Sequence, residues 1–314
     1  MARRNGSSVV WLRRLSQTAF VLLFVWLFLQ TAYHPVNQAG RHVKLFFQLD
    51  PLILVSTWLS SHRILSGLLL ALMTLGITIV FGRWFCGWVC PFGAVHALVS
   101  SWRSQKTKEK IASGGYSPWQ KTRYYLLVGL LVAAFFGINL TGWLDPFSVL
   151  YRSTATFLYP AANDGVTALF AWIYQTGPGI GQLKATSVSE PAYAFLRQTV
   201  LAATQPHFYG GVFMALLFLA AVLLNLVRPR FWCRYVCPLG ALLGIAGKNP
   251  VIQIKRNEQD CNNCRLCVAD CQGGANPDGP QGWKPSECFY CWNCQAACPK
   301  EAISFRFHVP GEKK

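Results

Sequence analysis

Eight of the twelve cysteines fall in two runs near the C-terminus, and their spacing constrains the fold more than any other feature. Both runs follow the pattern C-x2-C-x2-C-x3-C; a proline follows the second run, where the first has Gln272. This spacing lets three neighbouring thiolates reach one small cluster, while the fourth points towards the other cluster. It predicts two [4Fe–4S] clusters, the first held by Cys261, Cys264, Cys267 and Cys298, and the second by Cys288, Cys291, Cys294 and Cys271.

The paired runs are typical of a bacterial-type ferredoxin with two clusters. We therefore expect a C-terminal α+β 2[4Fe–4S] ferredoxin domain at residues 248–314. Pairs of the C-x2-C type also bind zinc, so two zinc sites are the alternative. Two complete four-cysteine runs favour iron–sulfur clusters, and hence a chain that carries electrons.

The rest of the chain has the composition of a membrane protein. Residues are 53% hydrophobic and 13% charged, whereas about a quarter of the residues in a soluble domain are charged. Crossing a ~30 Å hydrocarbon core takes about 20 apolar residues in a helix. Residues 1–247 are therefore expected to form an all-α membrane domain with four spans, approximately Leu15–Tyr33, Ile64–Phe81, Tyr124–Leu140 and Tyr209–Val227. The first span is expected to be an uncleaved anchor, not a signal peptide.

The basic residues account for the formal charge of +17 without nucleic acid, which is not expected as a partner. Lysine and arginine concentrate before the first apolar stretch and between the second and third, and they are sparse in the loop at residues 142–208. The positive-inside rule then puts the N-terminus and the ferredoxin segment in the cytoplasm of a bacterial inner membrane. The basic run Lys106–Lys110 is expected to meet anionic lipid or an acidic partner.

Two C-x3-C-P motifs follow the second and fourth apolar stretches. The segment Arg83–Ala94 aligns in register with Arg230–Ala241, and an Asp-Pro pair recurs at Asp50 and Asp145. Repetition of both features predicts a membrane domain built from two helix-pair repeats.

The two motifs contribute four further thiols. Residues i and i+4 share one face of a helix, so each pair presents two thiols in one direction. If the halves pack face to face, a third iron–sulfur cluster is expected near the membrane boundary, held by Cys86, Cys90, Cys233 and Cys237. A zinc site, a copper(I) site and reduced cysteines that only pack remain alternatives.

These features together resemble a known family. The motifs Phe-Cys-Gly-Trp-Val-Cys-Pro and Trp-Cys-Arg-Tyr-Val-Cys-Pro-Leu-Gly-Ala-Leu, the four apolar stretches and the terminal cysteine runs resemble NapH, the H subunit of the periplasmic nitrate reductase system. They also resemble the membrane and ferredoxin part of the nitrous-oxide-reductase regulator NosR. The resemblance implies a quinol-linked membrane electron carrier, with iron–sulfur, flavin or cytochrome proteins as partners.

The sequence departs from this pattern in two places. The outer loop from Tyr151 to His207 is long, so partner docking is expected to differ. The Ser-Gly-Ala-Thr flavin-attachment sequence does not occur, so no covalent flavin is expected in this chain.

Two aspartates are weaker candidates. Asp50 and Asp145 each precede a proline and are expected on the outer side of the membrane, where they would accept quinol protons. Capping of a helix that begins with the proline is the alternative.

Three histidines are also candidates. His62 and His207 precede the second and fourth apolar stretches and would ligate a haem or contact a quinone, unless they are simply solvated at the interface. His96 would relay protons near a cluster, although its repeat counterpart is Leu243.

The sequence thus predicts a membrane-anchored electron-transfer subunit between the quinone pool and a partner redox complex. The alternative is a membrane reductase that acts in metal-centre assembly or in regulation of a respiratory enzyme. A structural zinc protein is the non-redox possibility.

Overall fold

The computed structural model describes residues 4–33, 44–62, 66–176, 179–180, 183–184, 186–201, 210–277 and 282–307. Within these ranges the chain is mostly helical, as predicted. The α-helices are α1 Arg4–Tyr33, α2 Lys44–Gln48, α3 Pro51–Ser61, α4 Leu70–Phe81, α5 Trp84–Trp88, α6 Pro91–Ser101, α7 Thr107–Gly114, α8 Thr122–Phe135, α9 Pro146–Ser153, α10 Tyr159–Thr176, α11 Thr186–Thr199, α12 Gly211–Leu223, α13 Phe231–Tyr235, α14 Pro238–Ala246, α15 Leu266–Ala269 and α16 Asn293–Ala296. The strands are β1 Gly179–Ile180, β2 Leu183–Lys184, β3 Ile252–Arg256 and β4 Ile303–Phe307.

The C-terminal cysteine runs lie between two paired strands. Strands β3 and β4 are antiparallel, with Ile252 opposite Phe307 and Arg256 opposite Ile303. Each run carries a short helix, α15 or α16, which gives the predicted α+β arrangement.

The backbone of the two runs repeats residue by residue. Asn263 and Tyr290, two residues after the first cysteine of each run, both have a positive φ. Arg265 and Trp292, two residues further on, also have a positive φ. Because non-glycine residues adopt this conformation rarely, the shared pattern indicates that both runs wrap in the same way.

The apolar helices are shorter than a membrane span, with one exception. Within the described ranges, Ser8–Gln30 is the stretch that is long and apolar enough to cross a membrane. Three apolar helices are shorter, Pro51–Ser61, Leu70–Phe81 and Gly211–Leu226. A helix rises 1.5 Å per residue, so the 12 residues of α4 extend about 18 Å. The four-span membrane domain therefore stays a prediction.

The chain divides into two compact units. One consists of Met1–Phe24, Leu45–Ser148 and Ala220–Lys314, and the other of Val25–Lys44 and Val149–Leu219. The first unit contains both C-x3-C-P motifs and all eight ferredoxin-type cysteines. The domain boundary expected at residue 247 stays a prediction.

The second unit is mainly helical where it is described, and it also contains the short antiparallel strand pair β1 and β2. Tyr151 and Tyr159 each make an edge-on ring contact with Phe28. The Tyr159 hydroxyl also donates a hydrogen bond to the carbonyl oxygen of Val200, at 2.7 Å. These contacts join the start of the long outer loop to the C-terminal part of α1.

Candidate iron–sulfur site

Each C-x3-C pair lies across a break between two helices. The first cysteine is inside a short helix, Cys86 in α5 and Cys233 in α13, and the second is the N-cap of the next helix. We expected both cysteines of a pair to lie along one helix face. The structure differs because the proline after Cys90 or Cys237 lacks an N–H and forces its predecessor into an extended conformation.

The second cysteine of each pair caps its helix through sulfur. Cys90 Sγ accepts a hydrogen bond from the amide of Gly93 at 3.4 Å, and Cys237 Sγ accepts one from Gly240 at 3.2 Å. The cap and the proline at the first helical position are thus identical in the two halves. This common geometry fixes two repeat-related sulfurs without any metal.

The four thiols converge in the first unit. All four cysteines are buried. Burial raises the pKa of Cys237 well above its usual value, and the negative charges of Cys233, Cys86 and Cys90 add to this effect. Burial likewise raises the pKa of Cys233, to about 11. The thiols of the two motifs therefore act on one another electrostatically, and their role as ligands of one centre stays a prediction.

Among the described residues, no group of three or more His, Cys, Asp or Glu side chains surrounds a point where one metal ion would bind. A zinc site needs sulfurs about 2.3 Å from one centre. A cubane cluster bonds each cysteine to a different iron and therefore separates the four sulfurs more widely.

Buried arginines link the two halves crosswise. Arg83 donates from Nη2 to the carbonyl of Cys233 at 3.4 Å, and its repeat counterpart Arg230 donates from Nη1 to the carbonyl of Cys86 at 3.0 Å. Both arginines are completely buried. Sequence comparison of the halves detected that this arginine recurs, but it gave no indication that each one bonds to the other half.

Positive charge exceeds negative charge around the thiols. Four arginines are completely buried here, Arg83, Arg123, Arg230 and Arg234. The buried Glu287 pairs with Arg123 at 2.7 Å and with Arg83 at 4.0 Å. Arg230 Nε and Nη2 have no hydrogen-bond acceptor among the described residues. Since an uncompensated buried cation is costly, this environment suits an anionic group at the four thiols. A thiolate-ligated cluster is such a group.

Phe289 connects this site to the second cysteine run. Its ring centre lies 4.7 Å from the Arg83 guanidinium carbon and 4.9 Å from that of Arg230. Gly87, next to Cys86, packs so closely that an added β-carbon would overlap the Phe289 carbonyl oxygen. Trp88 Nε1 also donates to the carbonyl of Tyr290 at 2.9 Å. The C-x3-C-P segment and the loop between Cys288 and Cys291 are therefore in direct contact.

The ferredoxin-type cysteines form two groups of different exposure. One cavity is lined by a set that includes the fourth cysteine of the first run, namely Cys271, Cys288, Cys291 and Cys294. These four are the predicted ligands of the second cluster. The other predicted set is more open: Cys267 is buried, Cys261 and Cys298 are half-buried, and Cys264 is exposed.

The two candidate aspartates lie next to each other. Both are completely buried. Asp50 caps α3 by accepting from the amide of Leu52 at 2.7 Å, and Asp145 accepts from the amide of Ser148 at 2.8 Å. Burial raises the pKa of Asp50 well above its usual value, and the charge of Asp145 adds to this effect. The capping alternative is thus observed for both aspartates.

The aspartate pair is close to the C-x3-C-P thiols, whereas we expected it on the opposite side of the membrane. The ring of Phe147, just after Asp145, lies 6.0 Å from that of Phe85, just before Cys86. Burial raises the pKa of Cys90, and the charge of Asp145 contributes to this shift. The helix α8 ends at Phe135, before the predicted span would end at Leu140.

The histidines do not share a site in the described structure. His96 is buried, with Nδ1 bonded to the amide of Asn225 and its ring centre 4.4 Å from that of Phe92. Burial lowers the pKa of His96 to about 4, so its ring is neutral at pH 7. His62 is exposed and ends α3 in a left-handed conformation. His207 lies outside the described residues. Their roles with haem, quinone or protons stay predictions.

Comparison with known proteins agrees with the repeat. A family model described as "4Fe-4S binding domain" matches residues 64–109 and 211–257. These two matches coincide with the two halves, and each contains one C-x3-C-P motif. They do not extend over the eight ferredoxin-type cysteines, so the 4Fe–4S description falls on the segments that carry the four converging thiols.

Several curated proteins are similar to this chain. Uncharacterized protein MJ0750 of Methanocaldococcus jannaschii is 24% identical over 94% of this chain and 95% of its own length. Regulatory protein NosR of Stutzerimonas stutzeri is 26% identical over 72% of this chain but only 25% of its own length. Methylamine utilization ferredoxin-type protein MauN of Methylorubrum extorquens is 27% identical over 64% of this chain and 51% of its own length.

No solved structure matches the chain significantly. The relatives and the 4Fe–4S model support a redox role, in agreement with the cysteine spacing. The chain is thus similar to proteins named as regulatory or ferredoxin-type, and it carries two segments that match a 4Fe–4S binding domain.

Proposed function

We propose that this protein is a membrane-anchored electron-transfer subunit that carries electrons between the quinone pool and a partner redox complex, through three [4Fe–4S] clusters. One observation carries the proposal. The four C-x3-C-P thiols and the second ferredoxin-type run lie in one compact unit and meet at Phe289. Two sites suited to iron–sulfur clusters are thereby held side by side.

The proposed ligands fall into three sets of four. One set is the C-x3-C-P thiols of both halves, and the second is the cavity that includes the crossover ligand Cys271. The third is the more exposed set of Cys261, Cys264, Cys267 and Cys298. When bound, such clusters accept and release electrons at potentials that depend on charge, hydrogen bonds and solvent exposure. The third set is the most exposed and is therefore the proposed exit to a partner protein.

Residues around the cysteines position the thiols and compensate their charge. The crossed arginine bonds hold the two halves in register, and their charge stabilises anionic thiolates. Phe289 and the residues that pack around it exclude water between the C-x3-C-P thiols and Cys288. Glu287 compensates part of the arginine charge and joins Arg123 to the second cysteine run.

The proposed membrane location rests on apolar surface. The helix α1 contains the stretch long enough to span, Ser8–Gln30. Shorter helices also expose large apolar side chains, including Leu72, Val128 and Leu216, each more than half exposed. Lipid is the natural solvent for such surfaces. The inner-membrane location, the cytoplasmic ferredoxin segment and the quinone link follow from loop charge and family resemblance.

A role in assembly or regulation is the second candidate. It is favoured by one relative, because NosR is named as a regulatory protein. The two functions differ in their response to quinone. Purified protein in membranes should be reduced by a quinol analogue if it serves respiration. A maturation factor should instead respond to its client or to the client's metal.

Iron content tests the proposal directly. Anaerobically purified protein should contain about twelve irons per chain, since each of three clusters holds four. Cys86→Ser should lower this to about eight and leave the spectra of both ferredoxin-type clusters unchanged. The matched variant Cys291→Ser should also lose about four irons, but from the second ferredoxin-type cluster. Eight irons in the unaltered protein would show that the C-x3-C-P thiols hold no cluster. Zinc in place of iron would refute the whole proposal.

A further inference from the structure

A cavity of about 740 Å³ lies between the start of α8 and the segment before the second cysteine run. Lys121 and Tyr125 line it on the α8 side, and Lys284 and Glu287 line it on the side of the cysteine run. Lys248, just after α14, completes the basic part of the wall. All of these residues belong to the first compact unit. Ligand-binding cavities typically measure about 300–1,000 Å³, so this one accommodates a small molecule or a headgroup.

The cavity carries an excess of positive charge. Three lysines line it, Lys121, Lys248 and Lys284, and none of them forms an ion pair with a described residue. Glu287 is the one acidic residue of the described lining, but its carboxylate already pairs with a buried arginine at 2.7 Å. The Lys284 ammonium lies 4.1 Å from the centre of the Tyr116 ring, which holds it at the cavity wall. Three ammonium groups around one cavity favour an anionic ligand.

An apolar stripe on α8 begins at the same cavity. Four large side chains, each more than half exposed, follow one another at helical spacing: Tyr125, Val128, Val132 and Phe135. Positions three or four residues apart share one face of a helix, so these side chains form one continuous surface. At 1.5 Å per residue the stripe extends about 15 Å, which is half of a ~30 Å hydrocarbon core. Its length therefore matches the acyl chains of one membrane leaflet.

We propose that the cavity binds the phosphate-bearing headgroup of an anionic phospholipid, with an acyl chain along the stripe on α8. The basic cavity and the apolar stripe are continuous through Tyr125, as headgroup and chain are continuous in a phospholipid. A soluble phosphate compound would engage the lysines but would leave the stripe uncovered. The inference rests on the membrane location in the proposed function, and it adds a defined site distinct from the basic run Lys106–Lys110.

The bound lipid connects α8 with the segment that leads into the second cysteine run. Ser286 also lines the cavity. Its carbonyl oxygen accepts hydrogen bonds from Arg83 Nη1 at 3.1 Å and from Arg123 Nη2 at 3.3 Å. The cavity wall is thus part of the buried arginine network. A ligand that binds only the folded protein stabilises it, so the lipid should stabilise the first unit against unfolding.

Lipid binding can be measured on the full chain, purified anaerobically in a neutral detergent. Native mass spectrometry counts bound lipid during titration with dioctanoyl phosphatidylglycerol, and dioctanoyl phosphatidylcholine is the zwitterionic comparison. Glycerophosphoglycerol, which is the same headgroup without acyl chains, represents a soluble phosphate ligand. We expect one tightly bound phosphatidylglycerol per chain and much weaker binding of both comparison compounds. Phosphatidylglycerol should also raise the melting temperature.

A double lysine variant tests the cavity itself. Lys121→Gln/Lys248→Gln removes two charges from exposed side chains, so the fold should be retained. Each lysine near a membrane surface contributes about fivefold to the binding of anionic lipid, so this variant should bind phosphatidylglycerol about 25-fold more weakly. The matched control Lys106→Gln/Lys108→Gln removes two exposed charges outside the cavity. It should leave the affinity nearly unchanged.

Three outcomes would overturn the inference. Equal binding of phosphatidylglycerol and phosphatidylcholine would exclude recognition of the charge. Equal binding of phosphatidylglycerol and glycerophosphoglycerol would identify a soluble phosphate ligand in place of a lipid. Equal weakening in the two double variants would show general attraction to basic surface and no site in the cavity.

Two further measurements distinguish failure of this inference from failure of the proposed function. A chain that contains about twelve irons but fails the lipid tests keeps its proposed electron transfer and loses only the lipid site. A chain that stays in solution without detergent contradicts the proposed membrane location, and the lipid site fails with it.

Discussion

Arg230 donates a hydrogen bond to the carbonyl oxygen of Cys86 at 3.0 Å, across the boundary between the two repeat halves. Arg83 makes the corresponding bond in the opposite direction, to Cys233. Each half thus positions the thiol-bearing helix of the other. The arginine, like the cysteines, is repeated because it serves an interface between the halves.

Removing the charge of Arg230 should make the C-x3-C-P centre harder to reduce. Reduction adds negative charge beside this guanidinium, and Arg230→Gln removes its stabilisation. We expect a lower potential by about 59 mV or more, a tenfold change for one electron. Arg230→Lys keeps the positive charge, so it should lower the potential of the centre by less. The control Arg256→Gln alters a partly exposed arginine that pairs with Glu258. Equal potentials in Arg230→Gln and the control, measured by redox titration, would contradict the prediction.

Glu287→Gln should destabilise the first unit strongly. The change leaves Arg123 and Arg83 without their buried carboxylate. Breaking a buried pair by removing one partner costs about 3–5 kcal/mol. Thermal unfolding should therefore occur at a clearly lower temperature. Glu258→Gln serves as the control because its side chain is 84% exposed, and it should change stability by less than about 1 kcal/mol. Similar melting temperatures for the two variants would refute the buried-pair argument.

Gly87→Ala should disturb the contact between the C-x3-C-P segment and the second cysteine run. The added methyl group would overlap the backbone oxygen of Phe289, which cannot move independently. Overpacking of this kind costs about 1–3 kcal/mol or more. Gly129→Ala, in the middle of α8, meets nothing within 4 Å, and it should stabilise the helix by about 0.5–1 kcal/mol. Melting temperatures that move in the same direction would contradict this prediction.

The fourth cysteine of each run should serve the other run's cluster. Cys298→Ser should perturb the cluster of Cys261, Cys264 and Cys267, and Cys271→Ser should perturb the cluster of the second run. The cavity that contains Cys271 supports the second assignment. Electron paramagnetic resonance of each reduced variant distinguishes the two clusters. If Cys298→Ser changes the signal that Cys291→Ser abolishes, the crossover assignment is wrong.

The aspartate pair should make stability depend on pH in a defined direction. Burial, with the neighbouring Asp145, raises the folded-state pKa of Asp50 well above its usual value. A raised pKa adds stability that is fully present below the unfolded value of about 3.9 and is lost as pH rises through the folded value. The unaltered protein should therefore lose stability relative to Asp50→Asn as pH increases above about 4. A constant difference between their melting temperatures would contradict a raised pKa of Asp50.

Local patterns in the sequence predicted much of the candidate site. The C-x2-C-x2-C-x3-C spacing identified the ferredoxin-type segment, and its two-stranded α+β arrangement is observed. Register between Arg83–Ala94 and Arg230–Ala241 identified the repeat, which the matches at 64–109 and 211–257 confirm. Such features are readable because ligand spacing and proline position act over a few residues.

The sequence was less informative about helix length and about contacts between distant residues. The apolar stretch before Cys86 forms a helix of only 12 residues, Leu70–Phe81. Asp145 was expected on the outer side of the membrane, but the ring of Phe147, just after it, contacts that of Phe85, just before Cys86. Apolar composition indicates that a segment is removed from water, but it does not indicate where the helix ends and the chain changes direction.

The sequence by itself determined the chemistry of this protein: which residue types repeat, at what spacing, and therefore which ligands exist. Only the tertiary structure decided which distant residues lie next to each other. Arg230 and Cys86 are 144 residues apart, and Trp88 and Tyr290 are 202 apart. Contacts at such separations depend on how complete helices pack and on which buried charges must be compensated. These are properties of the folded whole, so no short pattern in the sequence encodes them.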